Sequence, residues 1–200
     1  MKGAKGISPK KWGRVTWAML HGLAWLVVKA PSAHRVRALR LLFLAMPRLL
    51  PCRTCRQNMH KELKRRGVPD GEGDDDEGAW ALARWVHDIH NAVNRTTGKA
   101  RVAYEDGLDA RLVGLGYERT LVFAQTAFRM ASGYIVRCLA ERKELGERHE
   151  KHARQYVRAV RAYRAYKRAG VYLLRGEKGE LLAEEKACTR RSSARSSRPR

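Results

Sequence analysis

Apolar side chains recur every three to four residues along most of this chain, and prolines and glycines divide the pattern into segments. Such spacing places the apolar residues on one face of a helix, whereas a half-buried strand requires strict alternation. The segments predict helices over residues 9–29, 33–46, 52–66, 79–96, 118–145 and 147–169, with a short helix near residues 105–113. We therefore expect an all-α protein: a four-helix bundle plus a short fifth helix, with an additional helical C-terminal extension.

Turn-forming residues indicate where the first four helices begin and end. Ser8 is a suitable N-cap, and Pro9 suits the first helical position. The turn after the second helix is expected to begin at Pro47. Gly67 and Gly98 follow the third and fourth helices, where a C-terminal glycine is common.

The segments between and after these helices have weaker patterns. Residues 67–78 combine glycine with like-charged acidic side chains, which predicts a loop. Residues 171–174 and 180–183 flank a turn-like segment and predict a β-hairpin. The predicted organisation is a bundle domain over residues 8–113, a basic helical extension over 118–188 and a disordered Arg/Ser-rich tail over 189–200.

The chain is strongly basic. It has 42 Lys and Arg against 20 Asp and Glu in 200 residues, a formal net charge of +22. Such a charge favours an anionic partner, which is a nucleic acid, an acidic protein, an anionic lipid or an anionic cofactor. A solvated, Arg-rich surface without a specific partner is an equally good interpretation.

No segment of the sequence is long and apolar enough to predict a membrane span. The longest apolar stretches, near residues 20–28 and 41–50, are shorter than the ~20 residues that a spanning helix needs. The first residues are basic, but no apolar run or cleavage-site pattern follows them directly. We expect a cytoplasmic protein without a membrane span.

Two of the four cysteines form a Cys-x-x-Cys motif, Cys52 and Cys55, at the start of the third predicted helix. Unsatisfied N–H groups and the positive end of the helix dipole favour thiolate over thiol at that position. Cys-x-x-Cys motifs occur both as redox pairs and as zinc ligands. A zinc site needs two more ligands, and His87 and His90 are the candidates, but the spacing of this set is unlike that of a zinc finger. The redox interpretation is therefore preferred, and no metal site is predicted.

Two further sequence blocks flank the cysteine motif. Gly13-Arg14-x-x-Trp17-x-x-Leu20-His21 precedes it, and His90-Asn91-x-Val93-Asn94-x-x-x-Gly98-Lys99 follows it. Together with Pro51-Cys52-x-x-Cys55, in this order, the blocks resemble the Erv/ALR family of FAD-dependent sulfhydryl oxidases. The resemblance covers residues 8–113 and is greatest to forms that large DNA viruses encode.

This resemblance implies a fold and a reaction. Family members fold as a four-helix bundle with a short fifth helix and hold FAD at its mouth. Cys52 is similar to the outer cysteine, which exchanges with a thiol-containing protein substrate, and Cys55 to the cysteine beside the flavin. Electrons would pass from the substrate dithiol through Cys52 and Cys55 to FAD and then to molecular oxygen, giving hydrogen peroxide and a disulfide in the substrate.

The resemblance also implies a set of cofactor-binding residues. The positions that match are Arg14, Trp17, His21, His87, His90, Asn91, Val93, Asn94 and Lys99. A homodimer is implied as well, and the viral forms suggest a viral assembly site or virion as the location. A nuclear location stays open.

The chain departs from the family pattern in several respects, and two of them concern the cysteines and the C-terminal region. It lacks a second close cysteine pair to act as an electron shuttle, because Cys138 and Cys188 stand alone. We expect Cys138 to be a buried small apolar residue. Cys188 could be a lone shuttle thiol, couple two subunits or have no role, and we favour the last. The second feature is the basic extension, which supports an alternative: a nucleic-acid-binding or virion structural protein with a zinc-binding Cys-x-x-Cys.

Overall fold

The protein is described by a computed structural model, which describes residues 9–70, 75–101, 112 and 114–175. This part of the chain contains six helices and no strand. The helices are α1 (Pro9–Lys29), α2 (Ala33–Leu49), α3 (Arg53–Arg66), α4 (Asp75–Thr96), α5 (Tyr117–Arg148) and α6 (Glu150–Arg175). The prediction of an all-α fold is therefore confirmed. The short helix near 105–113, Ser8 and the tail over 189–200 lie wholly or mostly outside the described residues.

Helix α1 has its predicted bounds, but α2 does not end at Pro47. The helix continues to Leu49, and the N–H of Leu50 donates to the carbonyl of Met46 at 3.1 Å. Pro47 lies in the last turn, where its missing N–H removes one helical hydrogen bond without ending the helix. The predicted end of α2 was wrong by three residues for this reason.

Helix α4 begins at Asp75, four residues before the predicted start. Its first turn contains Asp75, Asp76 and Glu77, which the sequence analysis assigned to an acidic loop. Negative side chains at a helix N-terminus interact favourably with the helix dipole, so these charges stabilise the first turn. The predicted loop over 67–78 is thus wrong for its last four residues.

The predicted β-hairpin is also wrong in its first half. Residues 171–174 form the last turn of α6. Tyr166, Ala169 and Leu173 recur at helical spacing and are all buried, so this turn packs in the core. Residues 180–183 lie outside the described residues.

One hydrophobic core joins all six helices. Helix α1 packs mainly against α5 and α4, and α2 packs mainly against α6. At the centre, the fully buried Tyr166 of α6 has its hydroxyl 3.1 Å from Ser132 Oγ of α5 and 3.1 Å from Met19 Sδ of α1. Helices α5 and α6 therefore cover the first two helices and share their core. The domain boundaries at 8–113 and 118–188 stay predictions.

An arginine of α2 occupies an unexpected position. Arginine side chains are mostly exposed in folded proteins, but that of Arg35 in α2 is only 4% exposed. Its guanidinium donates to the carbonyl of Leu26 and to the hydroxyl of Tyr117, both at 3.2 Å. Arg35 thus connects α1, α2 and the start of α5, and these hydrogen bonds offset part of the loss of solvent, whereas its buried Nε makes no hydrogen bond.

None of the helices in the described ranges has an apolar stretch sufficient to cross a bilayer.

Candidate functional site

The cysteine motif lies at the N-terminus of α3. Cys52 is the N-cap residue, and its sulfur accepts from the N–H of Cys55 at 3.2 Å. The two sulfurs are joined in a disulfide, with Cα atoms 5.1 Å apart, and both side chains are half-buried against the core. The first helical turn brings the two sulfurs together, as the Cys-x-x-Cys spacing predicts.

The alternative zinc set is not assembled in this structure. Cys52 and Cys55 bond to each other, His90 contacts His21, and His87 contacts Asn91. Within the described ranges, no group of three or more His, Cys, Asp or Glu side chains is arranged to hold a metal ion.

Three rings from α1 and α4 form a compact group, which we call the Trp–His cluster: Trp17, His21 and His90. The rings of Trp17 and His90 stack with centroids 4.0 Å apart and planes 9° apart. His21 Nε2 lies 3.0 Å from His90 Nδ1, so one of the two nitrogens donates to the other. Two sequence blocks separated by 69 residues thereby meet in one cluster.

Burial sets the protonation state of His90. Burial, and then the nearby His87 and Lys99, lower the pKa of His90 from 6.5 to about 4. His90 is consequently neutral at neutral pH. It can accept a hydrogen bond through one ring nitrogen and donate through the other, whichever tautomer it adopts.

The other predicted residues of α4 lie beside this cluster. His87 is buried, and its Nε2 lies 3.1 Å from Asn91 Nδ2. Asn91 and Val93 are half-buried, whereas Asn94 is only 7% exposed. The carbonyl of Asn94 accepts from the N–H of Lys99 at 2.8 Å, which fixes the end of α4.

Two cations among the predicted residues are exposed. Arg14 lies one turn before Trp17 on α1, and Lys99 follows Gly98, whose φ of 68° is favourable for glycine. Lys99 interacts electrostatically with His90, so its charge lies near the Trp–His cluster. The structure thus brings Trp17, His21, His90 and Lys99 together, and it places Arg14 on the same helix as Trp17.

The sequence analysis missed a group of residues around the cysteine motif. Arg56 Nη1 donates to the carbonyls of Leu50 at 2.9 Å and Pro51 at 3.4 Å. Arg142 and Cys138 of α5 contact the same segment, which no local pattern predicts. The expectation that Cys138 is buried is confirmed, with 4% exposed.

The fold and the site are those of a small helical-bundle protein with a Cys-x-x-Cys disulfide. The disulfide lies at a helix N-terminus, and the Trp–His cluster lies between α1 and α4. The sequence profile of the Erv1 / Alr family matches residues 14–111. The chain belongs to this family.

Three relatives support the assignment. The FAD-linked sulfhydryl oxidases ERV1 of Arabidopsis thaliana and of Oryza sativa subsp. japonica are 31% and 30% identical over 98 and 96 residues. A probable FAD-linked sulfhydryl oxidase of Acanthamoeba polyphaga mimivirus is 30% identical over 104 residues, which confirms the predicted similarity to viral forms.

The matched regions cover 49%, 48% and 52% of this chain. They cover 48% and 46% of the two plant proteins and 71% of the mimivirus protein. The chain thus spans about half the length of the plant relatives that it matches. No solved structure matches the chain significantly.

Proposed function

We propose that this protein is an FAD-dependent sulfhydryl oxidase that forms disulfide bonds in protein substrates. The observation that carries the proposal is the Cys52–Cys55 disulfide at the N-terminus of α3, in a chain of the Erv1 / Alr family. The names of the three relatives, FAD-linked sulfhydryl oxidases, agree with it.

The Trp–His cluster and its neighbours suit FAD in their chemistry. Trp17 provides an aromatic ring for stacking, and the half-buried, neutral His90, whose Nδ1 contacts His21, provides its Nε2 for a hydrogen bond. Arg14 and Lys99 are exposed cations; Lys99 suits the pyrophosphate, and Arg14 suits a phosphate. The remaining residues proposed to hold FAD are His21, His87, Asn91, Val93 and Asn94.

The cysteine pair exchanges with the substrate as follows. A substrate thiolate attacks Cys52 Sγ, the Cys52–Cys55 bond breaks, and Cys55 leaves as a thiolate. A second substrate thiolate then attacks the mixed disulfide, so the substrate leaves oxidised and Cys52 and Cys55 are reduced. The helix N-terminus stabilises the Cys55 thiolate.

When bound, FAD would supply a two-electron acceptor, so that the Cys52–Cys55 disulfide can re-form. It would also supply the route by which these electrons reach oxygen and give hydrogen peroxide.

Oxygen consumption with a small dithiol tests the proposal. The purified protein should consume oxygen and form peroxide when dithiothreitol is added, and Cys52→Ala or Cys55→Ala should abolish this while FAD stays bound. Cys188→Ala is the matched control, since it removes a thiol outside the motif, and it should retain turnover. Turnover at the unaltered rate in the Cys52 or Cys55 variant would contradict the proposed roles.

We propose, second, that α6 binds the phosphate backbone of a nucleic acid. One face of α6 carries six exposed cations at helical spacing: Lys151, Arg154, Arg158, Arg161, Arg164 and Arg168. Arg154 also pairs with Glu150 at 2.5 Å. A row of cations along a single helix can follow a row of phosphates. This binding is compatible with the oxidase activity.

Salt dependence and a charge-matched variant test the second proposal. The triple variant R158Q/R161Q/R164Q should weaken binding to duplex DNA and reduce the slope of log K against log[salt] by about 2 to 3. The triple variant R119Q/R129Q/R137Q removes three exposed cations from α5 and should change the affinity much less. Equal losses for the two variants would show that only the net charge matters.

Two further expectations stay predictions. The first is that the protein forms a homodimer, and the second is that it is located at a viral assembly site, in the virion or elsewhere in the cytoplasm. Sedimentation of the full-length chain tests the first of them.

A further inference from the structure

Helix α5 contacts the segment that leads into the cysteine motif, although α5 lies outside the residues that the family profile matches. Arg142 Nη1 donates to the carbonyl of Arg48 at 2.7 Å, and Arg142 Nη2 donates to the carbonyl of Leu50 at 2.9 Å. The carbonyls at the C-terminal end of a helix lack helical partners and carry the negative end of its dipole. Arg142 therefore caps α2 from another part of the chain.

The same segment is held from two other sides. The carbonyl of Leu50 also accepts from Arg56 of α3, at 2.9 Å. One turn before Arg142 on α5, the thiol of Cys138 points at the carbonyl of Pro51 at 3.8 Å. Three side chains from two helices, Arg56 of α3 and Cys138 and Arg142 of α5, thus fix the two residues that directly precede Cys52.

The two guanidinium groups are close enough to affect each other. Burial, and then the charge of Arg142, lower the pKa of Arg56 to about 10. Two like charges repel, and here both donate to the Leu50 carbonyl. Leu50 is two residues from Cys52, so the Arg142 guanidinium lies within roughly 10 Å of the Cys52 backbone. A half-buried charge at that distance is only partly screened by salt.

We propose that Arg142 is a positioning residue of the redox centre: from the C-terminal extension it fixes the end of α2 at Arg48 and Leu50 and places a positive charge near Cys52. The positive charge stabilises the reduced pair, one of whose thiols is ionised, relative to the uncharged disulfide. The extension thereby raises the tendency of the Cys52–Cys55 disulfide to accept electrons. This inference rests on the proposed function for its biological meaning, but its measurement needs no FAD.

The redox equilibrium with dithiothreitol measures this effect. Reduced dithiothreitol gives two electrons and two protons to the disulfide and closes into its own cyclic disulfide, and one of the two new cysteine thiols then releases its proton. The full-length protein is equilibrated under nitrogen at pH 8 with mixtures of reduced and oxidised dithiothreitol. It is then quenched with acid, and the alkylation of Cys52 and Cys55 is read by peptide mass spectrometry, separately from Cys138 and Cys188.

R142Q removes the charge and should shift the equilibrium constant roughly three- to tenfold towards the disulfide. R142K keeps the charge and should stay within about twofold of the unaltered protein, although lysine reaches fewer carbonyls. R137Q is the matched control, because Arg137 is an exposed arginine of the same helix, and it should also stay within about twofold.

An unchanged equilibrium in a folded R142Q variant, even with a lower Tm, would overturn the proposal, because a merely structural contact changes stability and not redox balance. Equal shifts in R142Q and R142K would overturn it as well.

If R142Q does not fold, R56Q carries the test: it removes the second cation on the Leu50 carbonyl and should shift the equilibrium in the same direction. An R56Q equilibrium equal to that of the unaltered protein would then overturn the proposal. Failure of the oxidase proposal is distinct, since it shows as an unaltered protein that neither binds FAD nor consumes oxygen.

Discussion

The Trp–His cluster shows how single residues acquire their properties from distant partners. Trp17, His21 and His90 are ordinary helix residues in the sequence, and only their joint match to a family pattern singled them out. Their stacking distance and the neutral state of His90 depend on how α1 meets α4. The pairing of Cys52 with Cys55, in contrast, follows from the Cys-x-x-Cys spacing at a helix start, although that spacing alone left the redox and zinc interpretations equally open.

We predict that the stability contributed by His90 declines in acid. Its folded pKa of about 4 lies below the ordinary 6.5, so the unfolded chain binds a proton on this residue at a higher pH than the folded chain does. The contribution of His90 is therefore complete above pH 6.5 and falls progressively towards pH 4. His90→Gln loses the stacking and the His21 contact, so it should lower Tm at pH 7, and its difference from the unaltered protein should shrink as the pH falls from 7 to 5. A Tm difference that stays constant or grows over this range would contradict the assigned pKa.

At the scale of helices, periodicity and end signals predicted the elements well; the errors at Pro47 and Asp75 have local causes, and the error at residues 171–174 has a tertiary cause. Pro47 was expected to end α2, but one missing hydrogen bond in a last turn is a small cost. Residues 171–174 looked like a strand because they are apolar and precede a turn-like segment. The burial of Leu173 and Leu174 in the core that all six helices share is a long-range effect that the local pattern does not contain.

A pair of glycine substitutions tests the packing of α5 on α6. Gly170 of α6 lies against the ring of Phe128 so closely that an added Cβ would overlap it, whereas an added Cβ on Gly133 of α5 meets nothing within 4 Å. Gly170→Ala should lower the free energy of unfolding by about 1–3 kcal/mol. Gly133→Ala should raise it by about 0.5–1 kcal/mol, because alanine is the better helix former. Chemical denaturation of the two variants measures both effects, and a neutral Gly170→Ala would contradict the close approach of the helices.

At the scale of the whole molecule, the C-terminal extension is part of the structure that carries the candidate site. The sequence predicted two basic helices there, but not that they share a core with α1 and α2 or that Arg142 contacts the residues before Cys52. These contacts join residues more than 80 positions apart, and no periodicity reports them. The strong positive charge was evident from composition, and the structure adds that α6 presents six of the cations on one face.

We predict that the bundle does not fold stably without the extension. A chain ending at residue 113 lacks α5 and α6, and it exposes the apolar faces of α1 and α2 that these helices cover. It should be aggregation-prone or unfold at a much lower Tm. A chain that lacks only residues 189–200 is the control and should keep both its Tm and its turnover of dithiothreitol. A cooperative, equally stable 1–113 chain would show that the extension is dispensable for folding.

The most direct test of the account is an anaerobic titration of the purified protein with a dithiol, followed by its visible absorption. We predict a yellow protein with flavin absorbance near ~450 nm that is lost on addition of about one equivalent of dithiothreitol. In Cys55→Ala the absorbance should be present at first and should persist, because the electrons can no longer leave the cysteine pair. A colourless protein, or bleaching of Cys55→Ala as fast as that of the unaltered protein, would contradict the claim that Cys52 and Cys55 deliver electrons to a bound flavin.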